Sequence, residues 1–178
     1  MKKQLLTALF ILCAVCAEAQ VIWTVKAGAG ISNFYSGPQS VAWKAGLGVD
    51  IPLSDKFMFM PAAEIAGKQV LTSYYGYVNG GYNVTDTDYD HCIFVQIPLQ
   101  VGYKLRMGTA FDMNFKAGPY LAIPTDYGKF DYGIDAGIDF GYKHFVTGID
   151  FQAGLANQSD DIRPFKTTAL FFTLGYRF

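Results

Sequence analysis

Charge is scarce in this chain. Asp, Glu, Lys and Arg make up 16% of it, against roughly 25% in an average soluble domain. The 14 basic residues face 15 acidic ones, so no positive field is available to phosphates and a nucleic-acid partner is excluded. Histidine occurs only at His91 and His144. Past residue 19 there is no apolar run of the roughly 18 residues that a membrane-spanning helix needs, and helical periodicity is absent. What the chain does have is apolar and ring-bearing: 51% hydrophobic residues, 12 Tyr, 15 Phe and 19 Gly. That content excludes a disordered chain and a coiled coil. A β-rich protein with too few charges for a water-facing surface remains.

Residues 1–19 read as a secretory signal peptide. Lys2 and Lys3 supply the positive end, Leu5 to Cys16 the apolar stretch, and Ala17-Glu18-Ala19 the small residues of a cleavage site before Gln20. The expected domain is then a single one, residues 20–178. Cys13 and Cys16 leave with the leader, so Cys92 stands alone. Neither an intramolecular disulfide nor a cysteine metal cluster is expected, and a lone thiol in an oxidising compartment is expected to be buried.

The remainder alternates with a period of two in eight runs: 21–32, 41–53, 57–70, 92–106, 111–122, 130–142, 145–156 and 167–178. The sixth is the cleanest. Phe130, Tyr132, Ile134, Ala136, Ile138, Phe140 and Tyr142 share one face; Asp131, Gly133, Asp135, Gly137, Asp139 and Gly141 share the other. Throughout, the bulky apolar side chains fall on one face and glycines interleaved with charges on the other. An eight-stranded barrel has an interior only just wide enough for side chains. The bulky face must therefore look outward, which is tolerable only in lipid. The expected fold is all-β: an eight-stranded antiparallel up-and-down transmembrane β-barrel with a charged, Gly-rich interior and an apolar exterior.

Seven cations and seven anions fall on the proposed inner face. They are Lys26, Lys44, Lys68, Lys104, Arg106, Lys116 and Arg177, against Asp50, Glu64, Asp112, Asp131, Asp135, Asp139 and Asp150. A packed, pore-less core requires such near-neutrality, because an unpaired buried ion costs several kcal/mol. Short connections are expected near 54–56, 107–110 and 143–144, and longer ones near 33–40, 71–91, 123–129 and 157–166, the pattern of short periplasmic turns and long outer loops. A two-residue turn pairs Tyr142 with Phe145. The turn before Phe111 brings Arg106 opposite Asp112, where an ion pair is expected. Aromatics cluster near the strand ends, as in an interfacial girdle.

The chain closes on Leu174-Gly175-Tyr176-Arg177-Phe178. Tyr176 and Phe178 resemble the C-terminal signal that outer-membrane barrels present to their assembly machinery, with Thr173 where that pattern has a glycine. Together with Ala117-Gly118-Pro119-Tyr120-Leu121 and Phe130-Asp131-Tyr132-Gly133, the mature chain resembles the PorT-type small outer-membrane β-barrels common in the Bacteroidota. The resemblance implies an eight-stranded barrel in the outer membrane of a Gram-negative bacterium and little about activity.

No catalytic residue, cofactor site or metal site is expected. Asp86-Thr87-Asp88-Tyr89-Asp90-His91 mimics the start of a calcium loop, but Ile97 stands where its bidentate Glu belongs and His91 where its glycine belongs. Ser73 and His91 flank one loop and offer a lipid- or peptide-modifying enzyme as an alternative; a narrow solute channel is another. The main expectation is a closed, non-conducting barrel with a structural or surface-binding role. Its candidate contact surface is the loop 71–91 with Tyr74, Tyr75, Tyr77, Tyr82 and Tyr89, since tyrosine on a flexible backbone suits adaptable contacts. The expected partners are membrane lipid and lipopolysaccharide, the assembly machinery and a surface ligand. The barrel is expected to be monomeric.

Overall fold

The alternating runs follow one another round a closed sheet. In the computed structural model the strands are β1 (Ile22–Ser32), β2 (Ser40–Pro52), β3 (Phe57–Asn79), β4 (Tyr82–Met107), β5 (Phe111–Pro124), β6 (Asp131–Tyr142), β7 (Phe145–Gly154) and β8 (Thr168–Arg177). Each pairs antiparallel with the next, and β1 pairs with β8 (Ala29 opposite Phe172) to close the barrel. Residues 21–33, 39–79, 82–108, 110–125, 129–158 and 165–178 are described, with backbone only over 71–79 and 82–90. The signal segment 1–19 lies outside the described residues.

The two faces sort as the side-chain volumes require. Leu174 is 71% exposed and Trp43, Leu47, Ile134 and Phe151 are between 38% and 57% exposed, whereas Asp131, Asp135, Asp139 and Asp150 are at 0%. A protein in water cannot sustain that inversion, because apolar area is outside and carboxylates are inside. The inner face is less purely Gly and charge than the alternation suggests. Met58, Met60, Phe94, Tyr120 and Phe171 also point in and are buried.

β3 and β4 run past the expected ends at residues 70 and 92. Their backbones stay paired from Lys68 opposite Cys92 to Asn79 opposite Tyr82, with one bulge between Leu71 and Ser73. β2 stops pairing with β3 at Trp43–Gly67, and β5 stops pairing with β4 at Phe94–Pro124. The expected loop 71–91 is thus a two-stranded ribbon projecting from the barrel. Its Tyr, Val and Thr content favours extended backbone over coil, and the chain of paired residues carries the register outward.

Three prolines interrupt the wall in a regular way. Pro61 pairs with Leu99, Pro98 with Tyr120 and Pro119 with Ile134. On the opposite side each drops out: the ladders skip Val49–Pro61, Ala62–Pro98 and Leu99–Pro119. A strand residue directs its N–H to one neighbour only, and proline has none to give.

At one end the connections are short. Tyr142 and Phe145 pair across the two-residue turn Lys143-His144. Gly108 takes φ +87° in the β4–β5 turn, a left-handed conformation that glycine adopts without a Cβ clash.

Candidate functional site

The lumen holds the charged residues that the alternation placed there apart from Arg106, organised in three levels. In the middle, cations and anions alternate in a chain that crosses between strands. Lys26 Nζ (β1) donates to Asp139 Oδ2 (β6) at 2.6 Å; Asp139 Oδ1 meets Lys116 Nζ (β5) at 3.1 Å. Lys116 Nζ also pairs with Asp150 Oδ1 (β7) at 2.7 Å, and Lys44 Nζ (β2) pairs with Asp150 Oδ2 at 2.7 Å. Lys44 lies 3.7 Å from Glu64 Oε2 (β3) and 4.0 Å from Asp135 Oδ2. Each oxygen of Asp139 and Asp150 thus faces a different ammonium. Glutamine side chains fill the remaining demand: Gln96 donates to Glu64 at 2.6 Å, and Gln100 and Gln152 donate to the two oxygens of Asp135 at 2.9 and 2.7 Å. Charges buried this deeply persist because they are paired and hydrogen-bonded.

At the short-turn end, Arg177 donates to Asp112, which Lys104 approaches at 3.6 Å, and Arg177 Nε lies 3.9 Å from Asp50. The expected Arg106–Asp112 ion pair is absent. The two residues are opposite in register, but Asp112 turns to Arg177, and Arg106 is exposed at the mouth. Its long stem lets the guanidinium stay in water. Tyr176 and Phe178 lie at this same end, 36% and 73% exposed, with their rings in edge contact.

At the other end the lumen holds an apolar cluster of Val70, Cys92, Phe94, Tyr120 and Ala122. Asp131 accepts from the Tyr120 hydroxyl at 2.9 Å and from Thr167 at 2.7 Å. Lys68 is buried there without a carboxylate within ion-pair distance among the described residues. Its ammonium sits 4.7 Å from the Tyr120 ring centre and 5.7 Å from that of Phe94, so ring faces take the place of a counter-ion. The inward parity of Phe94 and Tyr120 is visible in the sequence; their joining in one apolar cluster is not, since parity alone does not bring side chains of two strands together. A void of about 30 Å³ beside Thr24, Lys26, Glu64 and Gln100 is the space of one or two waters.

Outside the lumen, His91 is exposed and its Nε2 lies 3.1 Å from the Ser40 hydroxyl. Among the described side chains, Ser40 is the serine it meets. No carboxylate is hydrogen-bonded to His91 among the described residues. His144 stands far off, in the β6–β7 turn. Among the described residues no three metal-ligating side chains gather. The side chains of Ser73, of the acidic run Asp86–Asp90, and of Tyr74, Tyr75, Tyr77, Tyr82 and Tyr89 lie outside the described residues. Their backbone register is defined: beyond the bulge, Tyr75 pairs with Asp86, Tyr77 with Val84, and Ser73 with Asp88.

No protein-family profile matches the sequence, and no curated protein matches it. Solved structures do. The chain is similar to the attachment invasion locus protein Ail of Yersinia pestis in complex with the heparin analogue sucrose octasulfate. The two share 12% identity over 89% of this chain and 99% of that one, at a TM-score of 0.50. It is similar to Neisserial surface protein A at 9% identity, over 89% and 96% of the two chains, at a TM-score of 0.51. At such identity the likeness concerns the fold, which is that of the eight-stranded outer-membrane β-barrels.

Proposed function

We propose that this chain is an integral outer-membrane barrel of the PorT type, exported through its signal peptide. In this reading it inserts by way of the Tyr176–Phe178 terminus, stands as a monomer among phospholipid and lipopolysaccharide, and works as a surface-binding protein rather than an enzyme or channel. The observation that carries the binding role is the β3–β4 ribbon, which continues for about ten residue pairs beyond the points where β2 and β5 cease to support it. A barrel needs no such extension for its own closure.

The ribbon's register supports a reading of the partner's chemistry. Alternation from the pairs Tyr75–Asp86, Tyr77–Val84 and Asn79–Tyr82 puts Tyr75, Tyr77 and Tyr82 on one face with Asp86, Asp88 and Asp90. No Lys or Arg occurs between Lys68 and Lys104. Tyr and Asp sharing one face of the ribbon by register suit a cationic partner, such as a Lys- or Arg-rich protein surface. A sulfated ligand of the kind bound to Ail would find no countercharge on this ribbon.

Deleting residues 74–89 tests the reading. Heat-modifiable gel migration should be retained, while adhesion and binding of serum proteins are lost. Unchanged adhesion and serum binding in a folded deletion variant would make the ribbon structural. Asp86→Asn, Asp88→Asn and Asp90→Asn combined should weaken capture of a cationic partner and flatten its salt dependence.

A further inference from the structure

The outward residues of four neighbouring strands form rows at the short-turn end. The first row is Tyr142, Phe145, Tyr176 and Val25; the next is Phe140, Thr147, Leu174 and Ala27. Thr147 and Ala27 are short among long neighbours. They leave a furrow of about 480 Å³ on the lipid-facing wall. The Thr147 hydroxyl donates to the Thr173 carbonyl at 3.2 Å, so the floor offers lipid no unsatisfied donor there.

The two tyrosines of the first row both line the furrow and both carry a cationic or protonatable group. Lys143 Nζ lies 5.5 Å from the Tyr142 ring centre. His144 stacks on Tyr176 at 5.5 Å and 15°, and its Nδ1 lies 3.0 Å from the Arg177 carbonyl oxygen. A carbonyl only accepts, so Nδ1 carries the hydrogen and Nε2 is the nitrogen left to take a further proton. Lys143 holds φ +55°, in the left-handed region that favours glycine, and its N–H is fixed to the Ala110 carbonyl at 3.0 Å. Strained positions of this kind cluster at functional sites, and this one holds an ammonium over the Tyr142 ring that lines the furrow.

We propose that the furrow is a binding site for one anionic phospholipid of the periplasmic leaflet, with an acyl chain laid over Thr147 and Ala27 and the phosphate at Lys143 and His144. The site rests on the outer-membrane reading above, which sets this wall in lipid and this turn at the headgroup level. An apolar slot whose two lining tyrosines each bear a nitrogen group has the chemistry of a lipid with a negative head.

The full-length folded barrel, titrated with phosphatidylglycerol or phosphatidylethanolamine and examined by native mass spectrometry, tests it. The wild type should retain one phosphatidylglycerol with at least a tenfold preference over phosphatidylethanolamine. Lys143→Gly relieves the left-handed strain while removing the charge, so it should stay folded and lose most of that preference. Thr147→Phe fills the furrow and should lose retention of both lipids. Equal retention by wild type and Lys143→Gly, or a barrel dimer that Thr147→Phe dissolves, would overturn the lipid site alone. A chain that fails to insert into bilayers at all would overturn the site together with the outer-membrane reading.

Discussion

Arg177 holds Asp112 through one guanidinium nitrogen, Nη1, at 2.9 Å from both carboxylate oxygens. The pair ties β8 to β5 across the lumen, 65 residues apart in sequence. Hydrogen bonds to charged groups contribute about 1.5–3 kcal/mol each when their loss leaves a buried partner unsatisfied. Asp112→Asn should therefore destabilise the barrel by about that amount, read as a lower urea midpoint for folding into lipid vesicles. Arg106→Gln, at the exposed mouth, should leave the midpoint where it is.

The central chain of ions makes a sharper prediction. Lys116 neutralises one oxygen of Asp139 and one of Asp150. Lys116→Met leaves both carboxylates short of a cation, and breaking a buried pair in this way costs about 3–5 kcal/mol. Asp150→Asn added to Lys116→Met should restore part of the loss, because the uncompensated charge goes with it. A double-mutant cycle measures the coupling; strictly additive losses would show that the two groups do not depend on each other.

Two glycines on the inner face separate backbone crowding from mere polarity. A Cβ at Gly30 would be driven into the Leu170 carbonyl oxygen of β8, whereas at Gly48 its nearest neighbour is the Ala62 Cβ at 3.5 Å. Gly30→Ala should cost about 1–3 kcal/mol through overpacking. Gly48→Ala should be neutral, or stabilising by about 0.4–1 kcal/mol through the unfolded chain. Urea titrations of the two variants check this, and equal effects would contradict it.

The interior also predicts an electrical result. Lys44, Lys116, Asp135 and Asp150 interlock across the lumen, and the aromatic pair Phe94 and Tyr120 lies buried in it; packing of this kind predicts that ions do not pass. Planar-bilayer recordings should show no stable open steps. Discrete conductance levels from a purified, folded sample would refute the packed lumen.

The strand count, the outward and inward faces and the Tyr142–Phe145 turn are legible in the sequence, because a period of two is local and needs no partner strand to be seen. The end of β3 is not legible there. Gln69 to Asn79 carries neither a charge nor a proline to stop the strand, and the Tyr-rich composition suits a loop and a ribbon equally; only pairing with Tyr82 to His91 decides it. Arg106 shows the same limit at the other end. Register sets it opposite Asp112, yet Arg177 arrives from a strand that local pattern cannot connect to that site.

Alternation by itself determined that this chain closes into a barrel with bulk outside and charge inside, since eight strands enclose too little volume for the reverse. It also determined that the interior is close to neutral. Which cation meets which anion was decided by the tertiary structure alone: Lys26 and Asp139 are 113 residues apart, on strands that never pair. Their contact depends on the stagger of the closed sheet and on side-chain reach across the lumen, and neither quantity is written in any one strand.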